Sequence, residues 1–356
     1  MNKAEAKKRA AQLYKKALVW DDHSGFDPHG GADLKNLEIW RKAGVHYLSV
    51  NVGYDVIDWQ ATVKTLARFR AWLQTHPKKY ALVRSTADIK RARKDGKLAI
   101  AFDLEGMNSL NGDANMVSLY YDLGVRQMLF AYNLNNLAGG GCHDGDAGLT
   151  AFGRDVIKEM NRVGMVVDCS HTAYRTTMEA MEMSAAPVIF SHSCAKALRD
   201  HGRNIVDEQI KACARTGGVV GVTGVNLFLG ENDTSSETFV NHIAHMSDLV
   251  GAEHVGIALD YAFDAASVDD LLDGHEAYWP ASEGYSRWPT SYVPPRQLLE
   301  ITETMVKRGF RDREIIGVLG GNFMRVAGAV WKYRAMYLRD DARIGQWSPA
   351  VSVRVG

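Results

Sequence analysis

Five strand-length apolar runs in this chain end in side chains that can bind metal ions, and this feature constrains the fold more than any other. The runs are residues 18–23, 98–105, 165–171, 187–192 and 254–260, which end in His23, Glu105, His171, His192 and Asp260. A parallel strand that is covered on both faces has a continuous apolar sequence, and such folds place their chemistry at the carboxyl ends of the strands. The five runs therefore predict one polar site at the open mouth of a barrel.

Strand-like and helix-like patterns alternate along the chain. Strands are predicted near residues 18–23, 45–52, 98–105, 125–132, 164–171, 186–192, 217–225 and 254–260. Helical spacing of apolar residues predicts helices that include 58–76, 114–123, 150–163, 173–184 and 207–216. Glycines precede several predicted strands, at Gly44, Gly124, Gly164 and Gly217, where a helix commonly ends. The pattern predicts an α/β fold, a closed (β/α)8 TIM barrel, with a doubly wound open sheet as the alternative.

The domain organisation is expected to be simple. No internal repeat or low-complexity tract divides the 356 residues, so we expect one barrel domain over residues 1–356. Residues 1–18 alternate Ala and Leu with Lys, which predicts an amphipathic N-terminal helix and not a secretory leader. Helical patterns after residue 295 predict a C-terminal helical extension.

The charge balance bears on partners and location. The chain has 42 basic and 42 acidic residues, so its formal net charge is zero and gives no argument for binding nucleic acid or an anionic membrane. No apolar stretch is long enough to span a bilayer. A cytoplasmic protein and a processed periplasmic form both agree with these features. The four cysteines show no paired spacing, so disulfides and a structural zinc knuckle are not expected.

The residues at the strand ends suggest a specific kind of site. His171 and His192 end neighbouring predicted strands roughly 5 Å apart, so both could bind one metal ion. Glu105 offers a carboxylate that can bridge two ions, and His23 could bind the second ion. Two divalent ions would polarise a carbonyl group and acidify water.

Two more polar residues suit a substrate that carries opposite charges. Asp260 could contact an ammonium group or carry a proton, and Arg203 could hold a carboxylate in a two-toothed salt bridge. Taken singly, a strand histidine is more often a core residue, and Arg203 is more often a surface or interface charge. The placement of the whole set at one end of a barrel favours a functional site.

The same residues resemble a known family. The matching stretches are Asp22-His23, Leu104-Glu105-Gly106, residues 148–153, 167–171 and 190–193, Arg203-Asn204, and residues 256–260 and 320–326. Together they are similar to the membrane (renal-type) dipeptidases, peptidase family M19 of the amidohydrolase superfamily, over about residues 19–326. The resemblance implies a (β/α)8 barrel with two zinc ions that hydrolyses dipeptides, often with tolerance for a D-residue at the C-terminal position.

The resemblance also implies roles for individual residues. His23 matches the ligand on the first strand, and Glu105 matches the bridging carboxylate. His171 and His192 match the ligands of the second ion. Arg203 matches the arginine that binds the substrate carboxylate. In the same way, Asp260 matches the aspartate that engages the substrate amino group and carries a proton.

The first departure from the family pattern affects the metal site. The family has His-x-Asp in its first motif, and both residues are ligands, but here Gly25 stands in the place of the aspartate after His23. Glycine has no ligating side chain, so the first ion is expected to bind more weakly unless Asp21, Asp22 or Asp27 replaces it.

The second departure affects the reacting carbonyl group. The family has a histidine after the fourth strand that stabilises the carbonyl oxygen, and Tyr132 occupies that position here. A tyrosine hydroxyl can donate the same hydrogen bond, and His143 in the following loop is a second candidate.

The sequence thus predicts a zinc-dependent, dipeptidase-like hydrolase of a small-molecule substrate. Two alternatives stay open at this point. The chain could hydrolyse a small amide, lactam or N-acyl compound, or it could bind one metal ion or none and act in biosynthetic tailoring, isomerisation or binding. Since members of the family are often dimers, a homodimer is one of the assemblies that the resemblance suggests.

Overall fold

The computed structural model describes residues 2–25, 32–262, 274–285, 288–331, 337–339 and 342–344. Nine parallel strands carry the fold, and the last two form a separate pair. They are β1 Trp20–Ser24, β2 Tyr47–Tyr54, β3 Tyr80–Leu82, β4 Leu98–Glu105, β5 Val125–Leu129, β6 Val166–Asp168, β7 Val188–Ile189, β8 Val220–Val222 and β9 Val255–Ile257. Their order is β1-β2-β4-β5-β6-β7, followed by β8-β9. The short strand β3 pairs with the first residues of β4 and was not predicted from the sequence.

Single bridges and hydrogen bonds close these strands into a barrel. Phe190 pairs in parallel with Val220 and joins the β7 end to β8. The backbone N–H of Asp260 donates to the carbonyl oxygen of His23 at 3.1 Å, which joins the β9 end to β1. Within the described residues, eight strands therefore close on themselves, with β3 outside the ring. The predicted TIM barrel is confirmed, and the open sheet is excluded.

The helices lie between the strands and at both ends of the described chain. They are α1 Lys3–Lys16, α2 Glu38–Ala43, α3 Trp59–Thr75, α4 Thr86–Lys94, α5 Met116–Leu123, α6 Ala151–Val163, α7 Tyr174–Met183, α8 Asp207–Arg215, α9 Asn226–Leu229, α10 Ser236–Val250, α11 Leu298–Lys307, α12 Asp312–Ile316 and α13 Asn322–Val330. Two further strands, β10 Tyr337–Arg339 and β11 Ala342–Ile344, pair antiparallel. All the predicted helices are present within one or two residues.

Helix α6 illustrates why these segments are helical. The Thr150 side chain accepts from the Gly153 N–H at 3.0 Å and caps the first turn. Apolar side chains at helical spacing, including Val156 and Met160, are buried against the barrel. Gly164 ends the helix with a φ of 89°, a backbone conformation that favours glycine. The helix leads directly into β6 and so positions the residues that follow this strand.

The barrel interior changes from apolar to polar along its axis. At the amino ends of the strands, Trp20 stacks on Tyr47 with ring centroids 3.6 Å apart, and Phe323 of α13 packs beside them. Nearer the carboxyl ends, the interior holds the buried side chains of Asp103 and Asp168. Buried polar groups are costly unless they have partners. Their concentration at this end of the barrel therefore indicates where the functional site lies.

Several strands are shorter than the sequence predicted. β6 ends at Asp168 and β7 at Ile189, whereas the predictions extended these strands to His171 and His192. The backbone leaves the sheet before the histidines, and His171 has a left-handed φ of 61°. The histidines therefore lie on turns above the strand ends and not on the strands themselves. Across the described part of the chain, no helix has both the length and the apolar composition needed to span a membrane.

Candidate metal centre

Three side chains from different strand ends converge at the barrel mouth. The Nε2 atoms of His171 and His192 lie 2.9 Å apart, and each lies 3.2 Å from Oε1 of Glu105. All three residues are buried, with His192 fully so. Ligands about 2.0–2.1 Å from a tetrahedral zinc ion would lie about 3.3 Å from one another, close to these separations. The three predicted ligands thus form one group with the spacing of a metal site.

The outer partner of His171 shows how this ring is oriented. Its Nδ1 lies 2.7 Å from Oδ1 of Asn133, and the Asn133 amide nitrogen donates to the Tyr278 carbonyl at 2.8 Å. An amide oxygen can only accept, so the Nδ1 of His171 carries the proton and its Nε2 presents a lone pair. Burial, with the charge of Arg203, lowers the pKa of His171 well below its usual value. His171 is therefore a neutral donor of the kind that metal ions require.

His192 is oriented by a chain of two residues. Its Nδ1 lies 2.7 Å from Oγ of Ser191, and Ser191 donates its own proton to Asp168. Because the hydroxyl proton goes to Asp168, the Nδ1 of His192 donates to Ser191, and its Nε2 also presents a lone pair. Burial and the nearby His23 lower the pKa of His192 well below its usual value. Two neutral imidazoles and a carboxylate oxygen thus direct lone pairs at one point, an arrangement that suits a cation.

His23 belongs to a second group at the same mouth. Its Nε2 lies 3.5 Å from Oε1 of Glu105 and 3.5 Å from Oδ1 of Asp260, and these atoms lie near His192 as well. Its Nδ1 lies 3.2 Å from Oδ1 of Asp103, which holds the ring from behind. Burial alone would lower the pKa of His23, but Asp103 and Glu105 outweigh burial and raise it well above its usual value. Positive charge is therefore favoured at this position, as a proton or as a metal ion.

A β-bulge brings His23 to the interior. Asp21 pairs with Leu48 and Ser24 with Val50, so two residues of β1 face a single residue of β2. A bulge of this type re-aims side chains, and it lets consecutive residues of β1 face the barrel axis. The first ligand therefore depends on an irregularity that periodicity alone does not predict.

Gly25 lies at the edge of this second group. A Cβ atom on Gly25 would lie 3.6 Å from Oδ1 of Asp260, so a side chain here would point towards the site. Asp21 does not replace the missing ligand, because its carboxylate accepts from the Trp40 indole and from the backbone N–H of Leu259, both within 2.8 Å.

Asp22 does not replace the missing ligand either. Asp22 accepts from the indole of Trp20 at 2.7 Å, and it belongs to neither candidate ligand group. Burial raises the pKa of Asp22 well above its usual value, so its protonated form is favoured. Asp27 lies outside the described residues.

Arg203 is buried beside the candidate ligand His192. Its guanidinium is almost fully buried and donates to the carbonyl oxygen of His192 at 2.7 Å and to Oγ of Ser193 at 3.1 Å. Its Nε makes no hydrogen bond to any residue that the structure describes. A buried cation without an anionic partner is unfavourable, and an anionic ligand would relieve this cost.

Tyr132 lies directly against the metal ligands. Its ring stacks on His171 with centroids 4.2 Å apart, and its hydroxyl oxygen accepts from the Trp279 indole at 3.2 Å. A tyrosine hydroxyl that accepts one hydrogen bond can still donate its own proton to another group. Burial and Glu105 raise the pKa of Tyr132 well above its usual value, so the hydroxyl stays protonated.

His143 lies on the Arg203 side of the mouth. Its Nε2 lies 2.7 Å from the hydroxyl of Tyr285, and its ring meets His201 edge to face. Burial, with the charges of His201 and Arg203, lowers the pKa of His143 to about 3. The residue is therefore a neutral hydrogen-bonding group near Arg203.

The supporting residues were not identified from the sequence. The candidate ligands are held in place by Asp103, Asp168, Ser191 and Asn133. Asp55 accepts a hydrogen bond at 3.0 Å from the backbone N–H of Tyr132. A signal was present, because Asp103 and Asp168 interrupt apolar strands that otherwise read as core. An acidic residue in such a strand needs a buried partner, and this requirement could have marked both positions.

The backbone is strained where the site is built. His171, Asn133 and Asp260 have φ values of 61°, 62° and 54°, in the left-handed region that side-chain-bearing residues seldom adopt. Such conformations cost about 1–3 kcal/mol each and concentrate at functional sites. All three residues follow the carboxyl ends of barrel strands, in agreement with a site at the mouth.

Known proteins share this sequence and fold. Residues 27–278 match the membrane dipeptidase family (peptidase family M19). An uncharacterized dipeptidase of Schizosaccharomyces pombe is 30% identical over 299 residues, which are 82% of this chain and 64% of that protein. Dipeptidase verJ of Clonostachys rogersoniana is 28% identical over 277 residues, which are 76% of this chain and 65% of that protein. The chain thus spans slightly less than two thirds of the length of either relative.

A solved structure agrees with these matches. The crystal structure of an amidohydrolase from Pseudomonas aeruginosa superposes with a TM-score of 0.81 at 29% identity, and the match covers 90% of this chain and 99% of that chain. The sequence match extends over most of the described barrel, including the predicted ligands Glu105, His171 and His192. The chain belongs to the membrane dipeptidase family, peptidase family M19.

Proposed function

We propose that this protein is a zinc-dependent, dipeptidase-like hydrolase that cleaves a dipeptide or a small amide. The observation that carries the proposal is the convergence of Glu105 Oε1 with the Nε2 atoms of His171 and His192, each pair within 3.2 Å. The outer hydrogen bonds of the two histidines leave their Nε2 lone pairs directed at a common point, which suits a cation. Membership of the family supports the same activity.

We propose that two zinc ions bind, one of them more weakly than the other. His171, His192 and Glu105 would hold one ion, and His23 with Glu105 would hold the other more weakly because Gly25 supplies no carboxylate. When bound, zinc supplies a Lewis acid that polarises the carbonyl group and acidifies water.

The remaining residues are proposed to bind and orient the substrate. The Arg203 guanidinium would pair with the substrate carboxylate, for which its buried Nε is available. The Asp260 carboxylate, part of which is solvent-exposed, would hold the substrate ammonium and pass a proton to the leaving amine. The Tyr132 hydroxyl would donate to the carbonyl oxygen as negative charge develops there. His143 would hydrogen-bond to the carboxylate end.

Metal content and hydrolysis can be tested together. Purified protein loaded with zinc is expected to bind up to two ions per chain and to hydrolyse members of a dipeptide panel. His192→Ala is expected to abolish hydrolysis and lower the zinc content. His245→Ala is the matched control, because His245 pairs with Asp207 on the helical layer at 2.9 Å, away from the mouth. Full activity in His192→Ala would refute the proposed site.

A second function is favoured by one observation, the glycine at position 25. With one ligand fewer, the barrel could bind a single ion or none and act in a tailoring or other non-hydrolytic reaction. Dipeptide hydrolysis by the zinc-loaded protein separates the two functions. One bound ion or none, with no turnover across the dipeptide panel, would favour the second function and refute the first.

A further inference from the structure

Four aromatic side chains line one side of the barrel mouth. Tyr54, Tyr132, Tyr278 and Trp279 form this aromatic wall, in which Tyr132 contacts each of the other three with ring centroids 5.4, 6.3 and 5.8 Å away. The Tyr132 ring also stacks on the candidate ligand His171. The wall therefore begins at the metal centre and extends outwards from it.

Hydrogen bonds hold the outer two rings in place. The Trp279 indole donates to the Tyr132 hydroxyl, and the Tyr278 hydroxyl donates to the carbonyl oxygen of Asp55 at 3.3 Å. The Asn133 side chain donates to the carbonyl of Tyr278 at 2.8 Å. The polar atoms of these rings are thus engaged along the wall. A preorganised surface of this kind loses little conformational entropy when a ligand binds.

The wall is not simply part of the core. The core pair Trp20 and Tyr47 is 2% exposed or less, whereas Tyr132, Tyr278 and Trp279 all keep part of their surface exposed. Burying the remaining aromatic surface would stabilise a complex with an apolar group. Tyr132 stacks on the candidate ligand His171, and the exposed rings of Tyr278 and Trp279 pack on Tyr132, so a substrate bound beside His171 would meet them.

The strand order places Tyr54, one member of the wall, across the mouth from Arg203. Tyr54 ends β2, which is the second strand of the eight-strand ring, and Arg203 follows β7, which is the sixth. Second and sixth strands lie on opposite sides of a closed eight-strand barrel. A dipeptide whose carboxylate pairs with Arg203 would therefore extend its acyl-side residue towards the wall.

We infer that the aromatic wall is a subsite for the side chain of the acyl-side residue and selects an aromatic side chain there. This inference rests on the proposed function for the orientation of the substrate. An aromatic ring can meet the rings of the wall both edge to face and face to face, as the wall residues already meet one another. The carboxylates of Glu105 and Asp260 act on Tyr132, and aromatic faces attract cations, so a cationic side chain is the competing occupant of the wall.

Calorimetric titration with dipeptides tests the inference without requiring turnover. Phe-Gly is expected to bind the wild-type protein about 10-fold more tightly than Ala-Gly and Gly-Phe. Trp279→Ala is expected to reduce the Phe-Gly preference to about 3-fold or less, whereas Trp279→Phe, which keeps a ring, should retain most of it. Trp72→Ala on α3 is the control and should leave the preference unchanged. Tyr278→Ala serves as a second variant if Trp279→Ala does not fold.

The outcomes separate this inference from the proposed function. Equal affinities for Phe-Gly and Ala-Gly in the wild-type protein would overturn the inference, and so would tighter binding of Lys-Gly or Gly-Phe than of Phe-Gly. Selective binding of Phe-Gly without hydrolysis of any dipeptide would refute the hydrolase and support the subsite. Hydrolysis of Ala-Gly and Phe-Gly with equal kcat/KM and equal affinity would support the hydrolase and refute the subsite.

Discussion

Replacing Gly25 by aspartate tests how the first ion is bound. A Cβ at this position would make ordinary contacts, 3.6 Å from Oδ1 of Asp260 and 3.8 Å from the Cβ of Ala262. The backbone of Gly25 is also not in the left-handed region that would strain a side chain. Gly25→Asp should therefore fold, and it adds a carboxylate next to His23 and Asp260.

The magnitude follows from the charges that the new carboxylate meets. Two carboxylates about 4–5 Å apart repel by about 3–4 kcal/mol at an effective dielectric constant of about 20. Because the Asp260 side chain is 18% exposed and the positive charge favoured at His23 attracts the new carboxylate, we reduce this to about 1 kcal/mol. Gly25→Asp should lower the free energy of unfolding of the metal-free protein by this amount relative to Gly25→Asn, which has the same size and no charge.

Zinc should reverse the effect, because a bound cation converts the repulsion into ligation. We expect Gly25→Asp to bind its weaker zinc ion about 10–100-fold more tightly than the wild-type protein does. Urea denaturation with and without a chelator measures the free energy of unfolding, and chelator competition measures the affinity for the weaker zinc ion. Equal metal-free stability of the Asp and Asn variants, together with unchanged zinc stoichiometry, would refute the assignment of Gly25 to the metal site.

Three further predictions concern residues outside the ligand set. Asp103→Asn removes the charge behind His23 and should weaken zinc binding about 10–100-fold in a chelator competition assay, while the circular dichroism spectrum stays unchanged. Asp55→Ala removes the acceptor of the backbone N–H groups of Asn108 and Tyr132 and of the Asn136 amide, and it should lower the free energy of unfolding by about 3 kcal/mol. The control Asp58→Ala removes an exposed helix cap and should lower it by only about 1 kcal/mol. Equal losses in the two variants would contradict this prediction. Burial lowers the pKa of His242 to about 4, below its unfolded value near 6.5, so its contribution to stability is full above pH 6.5 and falls as the pH drops towards 4. Urea denaturation should show a slope of up to about 1.4 kcal/mol per pH unit from this residue, which His242→Gln removes.

The alternation of elements was predictable because its signals are local. The glycines that end helices, such as Gly124 with a φ of 110°, and the apolar spacing of α3 and α6 are read within a few residues. The short strand β3 escaped prediction, since three residues carry too little pattern to distinguish a strand from a turn. The ends of β6 and β7 were placed too late for a related reason. Apolar composition continues past the point where the backbone leaves the sheet.

The identity of the candidate ligands also came from the sequence. Histidine, glutamate and aspartate after apolar runs imply that buried polar groups must find partners, and the barrel topology implies where they meet. The orientation of the rings did not follow from the sequence. It depends on Asn133 behind His171 and on Asp168 behind Ser191. These partners lie far apart along the chain, so no local pattern connects them.

The sequence by itself determined the barrel, the candidate ligands and the missing carboxylate at position 25. The tertiary structure decided which lone pairs converge, how the β1 bulge brings His23 inwards, and that Asp21 is committed to the barrel closure. It also brought the four rings of the aromatic wall together beside His171. The physical reason is that periodicity and composition act over a few residues, whereas a site consists of distances between groups that only the closed barrel brings together.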